Sequence, residues 1–403
     1  MIQDGDTAWL LISAGLVMLM TPALAMFYGG MVQGKNVLST FMHSFYALGL
    51  VTVQFALVGY SLAFGPSWHG VIGTLDFAGL SGLTEASARG AVPHLAFVAY
   101  QCMFAVIAPA LISGAYAERL KFSAYVIFTL AWTTLVYDPI AHWSWAEGGW
   151  LAQQGAIDFA GGTVVHLSSG LSALVFAIVL GKRRGYPSVR HTPHDLTMTV
   201  IGAGILWFGW FGFNAGSAPH ADGTAALALI NTHLAAAAGA LTWTIVEGAR
   251  IKKVTALGAA SGLVAGLVAI TPAAGFVSPM AALAIGVAAG AVCYGAVIAK
   301  ARLGYDDALD AFGVHGVGGA TGALLTGVLA RAALNNGAGG SLALLGKQAL
   351  AVGAAGAWAI AVTFVLLRLI DRTVGLRVDA ETEHDGLDGA LHGESAYTGS
   401  TAH

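Results

Sequence analysis

PHLAFVAYQCMFAVIAPALISGAYA, residues 93–117, runs from end to end without an Asp, Glu, Lys or Arg and is closed by Glu118-Arg119. About 20 apolar residues are needed for a helix to cross the roughly 30 Å hydrocarbon core of a bilayer, so the stretch predicts a membrane span. Similar runs recur with short polar breaks near 8–31, 38–64, 121–141, 159–181, 195–215, 224–247, 254–272, 276–300, 311–331 and 347–370. The expected fold is therefore an all-α polytopic membrane protein with eleven transmembrane helices. It forms a single membrane domain over residues 1–374, followed by a tail over 375–403. Composition agrees: 57% of the residues are hydrophobic, 10% are charged and mean hydropathy is +0.73. Soluble proteins carry roughly 25% charged residues, which excludes a water-soluble enzyme. A net charge of -3 gives no basic footprint for nucleic acid. Cys102 and Cys293 both fall inside apolar runs, which argues against a disulfide framework or a cysteine metal site. The start, Met-Ile-Gln-Asp-Gly-Asp, lacks a signal peptide's positive charge, so the first run is expected to be retained.

Basic residues near span ends stay on the cytoplasmic side. With the N-terminus outside, Lys35, Arg119, Lys121, Lys182, Arg183, Arg184, Arg190, Arg250, Lys252, Lys253, Lys300, Arg302, Arg368, Arg372 and Arg377 are all cytoplasmic. Only Arg89, Arg331 and Lys347 of the 18 basic residues remain outside. An N-out/C-in chain follows.

Transporters are often two inverted repeats that meet at the substrate path. Spans 1 and 6 share an aromatic-glycine cluster, Met26-Phe27-Tyr28-Gly29-Gly30 against Trp210-Phe211-Gly212-Phe213-Asn214. Spans 3 and 8 share Ile-Ala-Pro-Ala (107–110) against Ile-Thr-Pro-Ala (270–273), and spans 5 and 10 each hold an Asp followed by a lone His. The expected plan is an inverted five-plus-five repeat with a final helix left over.

His166, in Asp158-Phe-Ala-Gly-Gly-Thr-Val-Val-His166, and His315, in Asp310-Ala-Phe-Gly-Val-His315-Gly316, enter from opposite sides. At about 1.5 Å per residue each sits roughly 10 Å deep, leaving a gap of order 10 Å between them. Intramembrane ionisable groups usually face a cavity or pathway. Structural histidines bonded to carbonyls are the alternative, and the matching spans favour the pathway. Tyr100-Gln-Cys-Met-Phe104, Trp143-Ser-Trp145, and Trp207, Trp210, Phe211 and Phe213 with Asn214 to Ser217 form an aromatic constellation near the outer ends. Interfacial anchoring explains many of these rings. A ring face also attracts a small cation, and a hydroxyl such as Ser217 accepts a hydrogen bond. The 55 glycines allow close helix packing and a narrow path.

The sequence resembles the Amt/Mep/Rh family of ammonium transporters, bacterial Amt branch. The motifs are Phe27-Tyr-Gly-Gly30 with Gly34-Lys-Asn36, Ala117-Glu-Arg119, Asp158 to His166, Gly209-Trp-Phe-Gly-Phe-Asn-Ala-Gly-Ser217, Val268-Ala-Ile-Thr-Pro-Ala273 and Phe312-Gly-Val-His-Gly316. The resemblance implies ammonium transport across the inner (cytoplasmic) membrane by a homotrimer with one pore per subunit and no cofactor. It implies ammonium recruitment at Phe104, Trp145 and Ser217 and a gate of Phe104 and Phe213. It further implies ammonia conduction past His166 and His315, which meet at mid-membrane, with Asp158, Trp210, Tyr100 and Thr271 in support. Tyr100 stands where many relatives have phenylalanine, and Trp143 and Glu147 also depart from the common pattern. Asp158 precedes span 5 by a turn, where a carboxylate caps backbone N–H groups.

The tail turns acidic after Arg377, a composition compatible with disorder. Gly375-Leu-Arg-Val378, Gly386-Leu-Asp388 and His392 to Tyr397 instead resemble a tail that packs under the cytoplasmic face, with electrostatic attraction to its basic residues. The family also implies blockage by a PII-type signalling protein. A rival reading is an ammonium sensor with little flux. Such members usually add a large output domain, whereas about 30 residues follow span 11 here.

Overall fold

The computed structural model describes residues 2–189, 191–218, 220–335 and 337–397. Arg190 and tail residues 398–403 lie outside the described residues. The fold is all-helical apart from two short hairpins. Its helices are α1 (Asp4–Gly29), α2 (Gly34–Phe64), α3 (His94–Tyr116), α4 (Phe122–Gln153), α5 (Gly162–Leu180), α6 (Leu196–Ala215), α7 (Gly223–Ile251), α8 (Ala256–Ile270), α9 (Pro279–Leu303), α10 (Phe312–Leu329) and α11 (Leu342–Thr373). Between α2 and α3, β1 (Ser67–Trp68) pairs with β2 (Ile72–Gly73), and β3 (Ala88–Arg89) with β4 (Val92–Pro93).

Ten of these helices are long and apolar enough to cross a membrane; the eighth of the eleven expected spans has only 15 residues. It starts at Thr255, whose hydroxyl accepts from Gly258 N (2.8 Å), and ends at Ile270, two residues before Pro272, whose nitrogen carries no proton to continue the helical hydrogen-bond ladder. The loops nevertheless sort into two sets. Those after even-numbered helices gather beside the N-terminus: Gln3 N donates to Ala91 O (2.8 Å), Phe159 N to Pro272 O (3.2 Å) and Arg331 N to Phe276 O (2.8 Å). Those after α1, α3, α5 and α9 gather with the tail: Gln33 N donates to Glu118 (2.8 Å), and Arg183 pairs with both Glu118 and Asp306 at 2.8 Å. Large apolar residues such as Leu57, Ile178, Leu241 and Ile245 are exposed on the outside of the bundle, as a lipid-facing surface requires.

The tail is docked against the start of α2 and the loops after α3 and α5. Its strand-like start pairs with the α3–α4 loop, Lys121 N donating to Leu376 O (2.8 Å) and Val378 N to Arg119 O (3.1 Å). Asp388 accepts from Leu38 N (3.0 Å) and Ser39 N (2.8 Å) at the start of α2, while Leu387 is fully buried and donates from its N–H to Asn36 Oδ1 (2.8 Å). Glu383 pairs with Arg377 of the tail itself and accepts from Arg184 N (2.7 Å). Basic side chains of the same face join the backbone pairing and capping, Lys35 Nζ donating to His384 O and Arg184 to Ala380 O (3.4 Å); exposed ion pairs contribute only about 0–1 kcal/mol each.

Candidate functional site

Three wide helical turns position the central side chains. In α5 the turn covers Gly162–Leu167, with His166 N reaching back five residues to Gly161 O (3.0 Å); the others are Phe211–Ala215 in α6 and Phe312–Gly316 in α10. Such insertions re-aim side chains and recur at functional sites. Here they present His166, Phe213 and His315 to one another. The two imidazoles meet, Nδ1 to Nδ1 at 3.4 Å with ring centroids 5.4 Å apart, which closes the gap that depth arithmetic leaves. The cause is local. α5 starts at Gly162, three residues later than the apolar run, so His166 lies in its first turn behind an irregular lead-in.

That lead-in is organised by Asp158, whose carboxylate accepts from Gly161, Gly162, Thr163 and Val164 N at 2.7–3.1 Å. Its counterpart in α10 is Asp307, not Asp310 as the sequence pairing suggests. Asp307 accepts from Ala311 N (3.2 Å) and Phe312 N (2.8 Å), whereas Asp310 pairs with Lys300 (2.5 Å). The signal is present in the sequence: Asp158 to His166 and Asp307 to His315 have the same spacing. Burial pushes the Asp307 carboxyl up to about 6; Lys300 pulls it down and Asp310 up. Four residues beyond each histidine stands a glycine. A methyl on Gly170 would lie 2.0 Å from Gly316 N, and one on Gly319 would lie 2.7 Å from Gly162 O. Each helix thus seats its glycine on the backbone beside the other's histidine.

Beside the N-terminal face lies a vestibule of about 300 Å³ lined by Tyr100, Gln101, Phe104, Trp145, Phe159 and Ser217 among others. At its floor Phe104 stacks on Phe213, centroids 4.2 Å apart and planes at 24°, with Trp145 edge-on to Phe104 at 5.9 Å. Trp145 Nε1 donates to Asp158 O (2.9 Å), fixing its ring. Ser217 Oγ donates to Phe213 O (2.9 Å), and Tyr100 OH lies 2.9 Å from Phe213 O and 3.2 Å from Ser217 Oγ. With those protons committed to carbonyls, both oxygens present lone pairs. Phe211, by contrast, faces His233 with centroids 6.1 Å apart, away from this stack. Trp143 Nε1 donates to Val71 O (2.7 Å) and packs on Trp150, a loop anchor, and Glu147 is exposed.

Below the phenylalanine pair, a cavity of about 10 Å³ is walled by Ile107, Leu111, Val264, Trp210 and the two histidines. Trp210 stacks on His166 (5.3 Å) and donates from Nε1 to Thr271 (2.9 Å). His166 Nε2 is buried without a hydrogen-bond partner. A third cavity, about 30 Å³, continues from His315 toward the tail face past Tyr28 and Asp310. Sequence reasoning missed Asp307, the vestibule's Arg89 and Gln101, and Asp138, which is buried inside α4 and accepts from Gln54 Nε2 (2.9 Å).

Comparison with known proteins identifies the family. Residues 8–397 match the model of the Ammonium Transporter Family. The chain is 50% identical to the ammonium transporter of Bacillus subtilis, over 98% of this chain and 99% of that one. The crystal structure of Saccharomyces cerevisiae Mep2 superposes with a TM-score of 0.91 at 38% identity, covering 100% of this chain and 93% of that one. A structure described as "Sensor Amt Protein" also reaches 0.91, at 32% identity, covering 96% of this chain and 98% of that one. The chain is a multi-pass membrane protein and belongs to the Ammonium Transporter Family.

Proposed function

We propose that the chain moves ammonium nitrogen across the inner (cytoplasmic) membrane, with the N-terminal face outside and the tail in the cytoplasm. Ammonium is recruited by Phe104, Trp145 and Ser217, gives up a proton to water on the vestibule side of the Phe104/Phe213 gate and passes as ammonia along His166 and His315. The observation that carries this reading is the sequence of chambers. An aromatic, lone-pair-lined vestibule is closed by one stacked pair of rings, and directly behind it lies a hydrocarbon-walled cavity whose polar groups are imidazoles. A cation is heavily penalised in so dry a space, whereas deprotonation removes the charge and leaves a molecule that still hydrogen-bonds. Potassium has no proton to lose.

The histidine pair suits the neutral form. If each ring is neutral and carries one proton, the Nδ1–Nδ1 bond uses one of the two, and the accepting ring holds the other on Nε2. One Nε2 is then an acceptor and the other a donor, matching the N–H and lone pair of ammonia. Asp158 acts by position and field, because its carboxylate is already engaged by four N–H groups. The domain reading continues as a membrane domain over 1–374 and a regulatory tail over 375–403. A homotrimer and a PII-type partner at the cytoplasmic pore mouth complete it.

The test is uptake into proteoliposomes on adding ammonium, read as alkalinisation of the lumen by arriving ammonia, with membrane current reporting any proton that follows, protein-free liposomes for lipid leak, and Na⁺ and K⁺ as controls. An ammonium-specific response, lost in a folded His166→Ala/His315→Ala variant, is expected; normal selective flux in that variant would overturn the assignment. A second reading, an ammonium sensor signalling to PII-type proteins, draws on the likeness to the structure described as a sensor. Binding of ammonium without any flux would favour it.

A further inference from the structure

We propose that Arg89 sets the strength of cation capture in the vestibule: its fixed positive charge weakens cation binding and confines it to the Phe104–Trp145–Ser217 end. This rests on the vestibule being where ammonium enters. Arg89 is the one charged side chain among the described residues lining that space. Its guanidinium lies over the Phe97 ring at 4.3 Å and 5.7 Å from the Phe64 ring, both of which also line the vestibule.

The position is imposed by the backbone. Arg89 pairs with Val92 across the tight β3–β4 hairpin, and Gln3 N holds the hairpin's turn at Ala91 O (2.8 Å). Two consequences follow. First, two ring faces that could bind a small cation are already occupied by one, leaving Tyr100, Phe104, Trp145 and Phe159 as the rings no cation covers. Second, a cavity of about 300 Å³ is only about 8 Å across, one Debye length at physiological ionic strength, so salt screens the charge incompletely. Coulomb's law for unit charges about 8 Å apart gives a weakening of about 2-fold in a water-like dielectric and about 30-fold at an effective value near 20. Ammonia is neutral and unaffected, so the charge acts on capture and not on the conduction that follows.

The experiment uses full-length Arg89→Cys in proteoliposomes, tagged from outside with methanethiosulfonates that restore a positive charge, add a neutral methyl or add a negative charge. Both native cysteines are buried, which directs the reagents to position 89. The readouts are KM and maximal rate for methylammonium uptake at low and high concentrations of an impermeant salt. Expected is a KM that falls about 3- to 10-fold from positive to neutral tag and further with the negative one, little change in maximal rate, and convergence at high salt. Because one folded protein yields all three states, misfolding does not enter the comparison. A KM that ignores the tag's sign would overturn the proposal. Trp145→Leu separates the two readings: if it raises KM while the tags do nothing, only the role of Arg89 fails; if neither moves KM, the vestibule is not where the substrate is captured.

Discussion

α5 and α10 are built on one device and set in different surroundings. Each has an aspartate eight positions before its histidine, a wide turn at the histidine and a glycine four positions beyond it that rests on the opposite backbone. Asp158 spends its whole carboxylate on four N–H groups and stands next to an aromatic vestibule. Asp307 engages two N–H groups and shares its corner with Lys300 and Asp310. Beyond them is the buried Arg183, paired with Glu118 and with Asp306. Burial raises the Asp306 carboxyl, but Arg183 outweighs it and holds the group down at about 2. The shared part is what brings the two rings together. The parts that diverge lie at the faces, one of which carries the aromatic vestibule while the other is braced by the docked tail.

The harshest way to break the shared part is to fill its glycines. Gly170→Ala drives a methyl into Gly316 N and Cα at 2.0 and 2.3 Å, backbone that cannot rotate away. Gly319→Ala meets Gly162 O at 2.7 Å and Leu167 N at 2.9 Å. Overpacking typically costs about 1–3 kcal/mol. The expected outcome in fluorescence-detected size exclusion is near-complete loss of the folded peak for Gly170→Ala and a partial loss for Gly319→Ala. Equal, undiminished peaks would show that the helices have room to part.

Replacing either histidine probes the same juncture without disturbing the backbone. Since each ring fixes the other's proton arrangement, His166→Ala and His315→Ala should lower ammonium flux by similar factors, about tenfold or more, in folded protein. A tenfold difference between the two would mean that one ring alone carries the path.

The aspartates separate the halves. Asp158→Ala leaves four N–H groups without their acceptor and Asp307→Ala leaves two, and the loss of a single cap costs about 0.5–2 kcal/mol. Thermal unfolding in detergent should therefore drop roughly twice as far for Asp158→Ala. Asp158→Asn, which keeps one oxygen but no charge, should still lower ammonium flux if the field of Asp158 matters. Full transport and unchanged stability in that variant would refute the field role.

How much of this was legible from residues alone depends on the scale of the feature. Spans announce themselves because a bilayer penalises polar side chains over about 20 consecutive positions. The vestibule residues and the histidines stood out as polar or aromatic groups in such runs. The three wide turns did not, because they arise from packing and leave no composition of their own. α5 starts three residues inside its apolar run for the same reason: Phe159-Ala160-Gly161 is apolar but non-helical, its lead-in organised by Asp158. Asp310 displaced Asp307 in the reading because it is nearer His315, and only the hydrogen bonds to Ala311 and Phe312 reveal which carboxylate does the capping. Arg89 is in the sequence only one of three basic residues left outside, and it takes the hairpin to place it over Phe97.

The smallest effect expected is a pH slope that belongs to one half. Burial raises the Asp307 carboxyl from its ordinary 3.8 to about 6, so between those values the folded protein holds a proton that the unfolded chain has released. Stability rises with pH only where the unfolded state binds more protons; here the folded state binds more, so this group's contribution is present at low pH and declines as pH rises through about 6. Asp307→Asn cannot titrate and lacks the slope. The melting temperature of the wild-type protein in detergent, minus that of Asp307→Asn, should therefore fall by a few degrees between pH about 4 and about 7 and be flat above. If the difference rises with pH instead, Lys300 outweighs burial at that corner, and Asp307 is an ion-paired cap in the manner of Asp306.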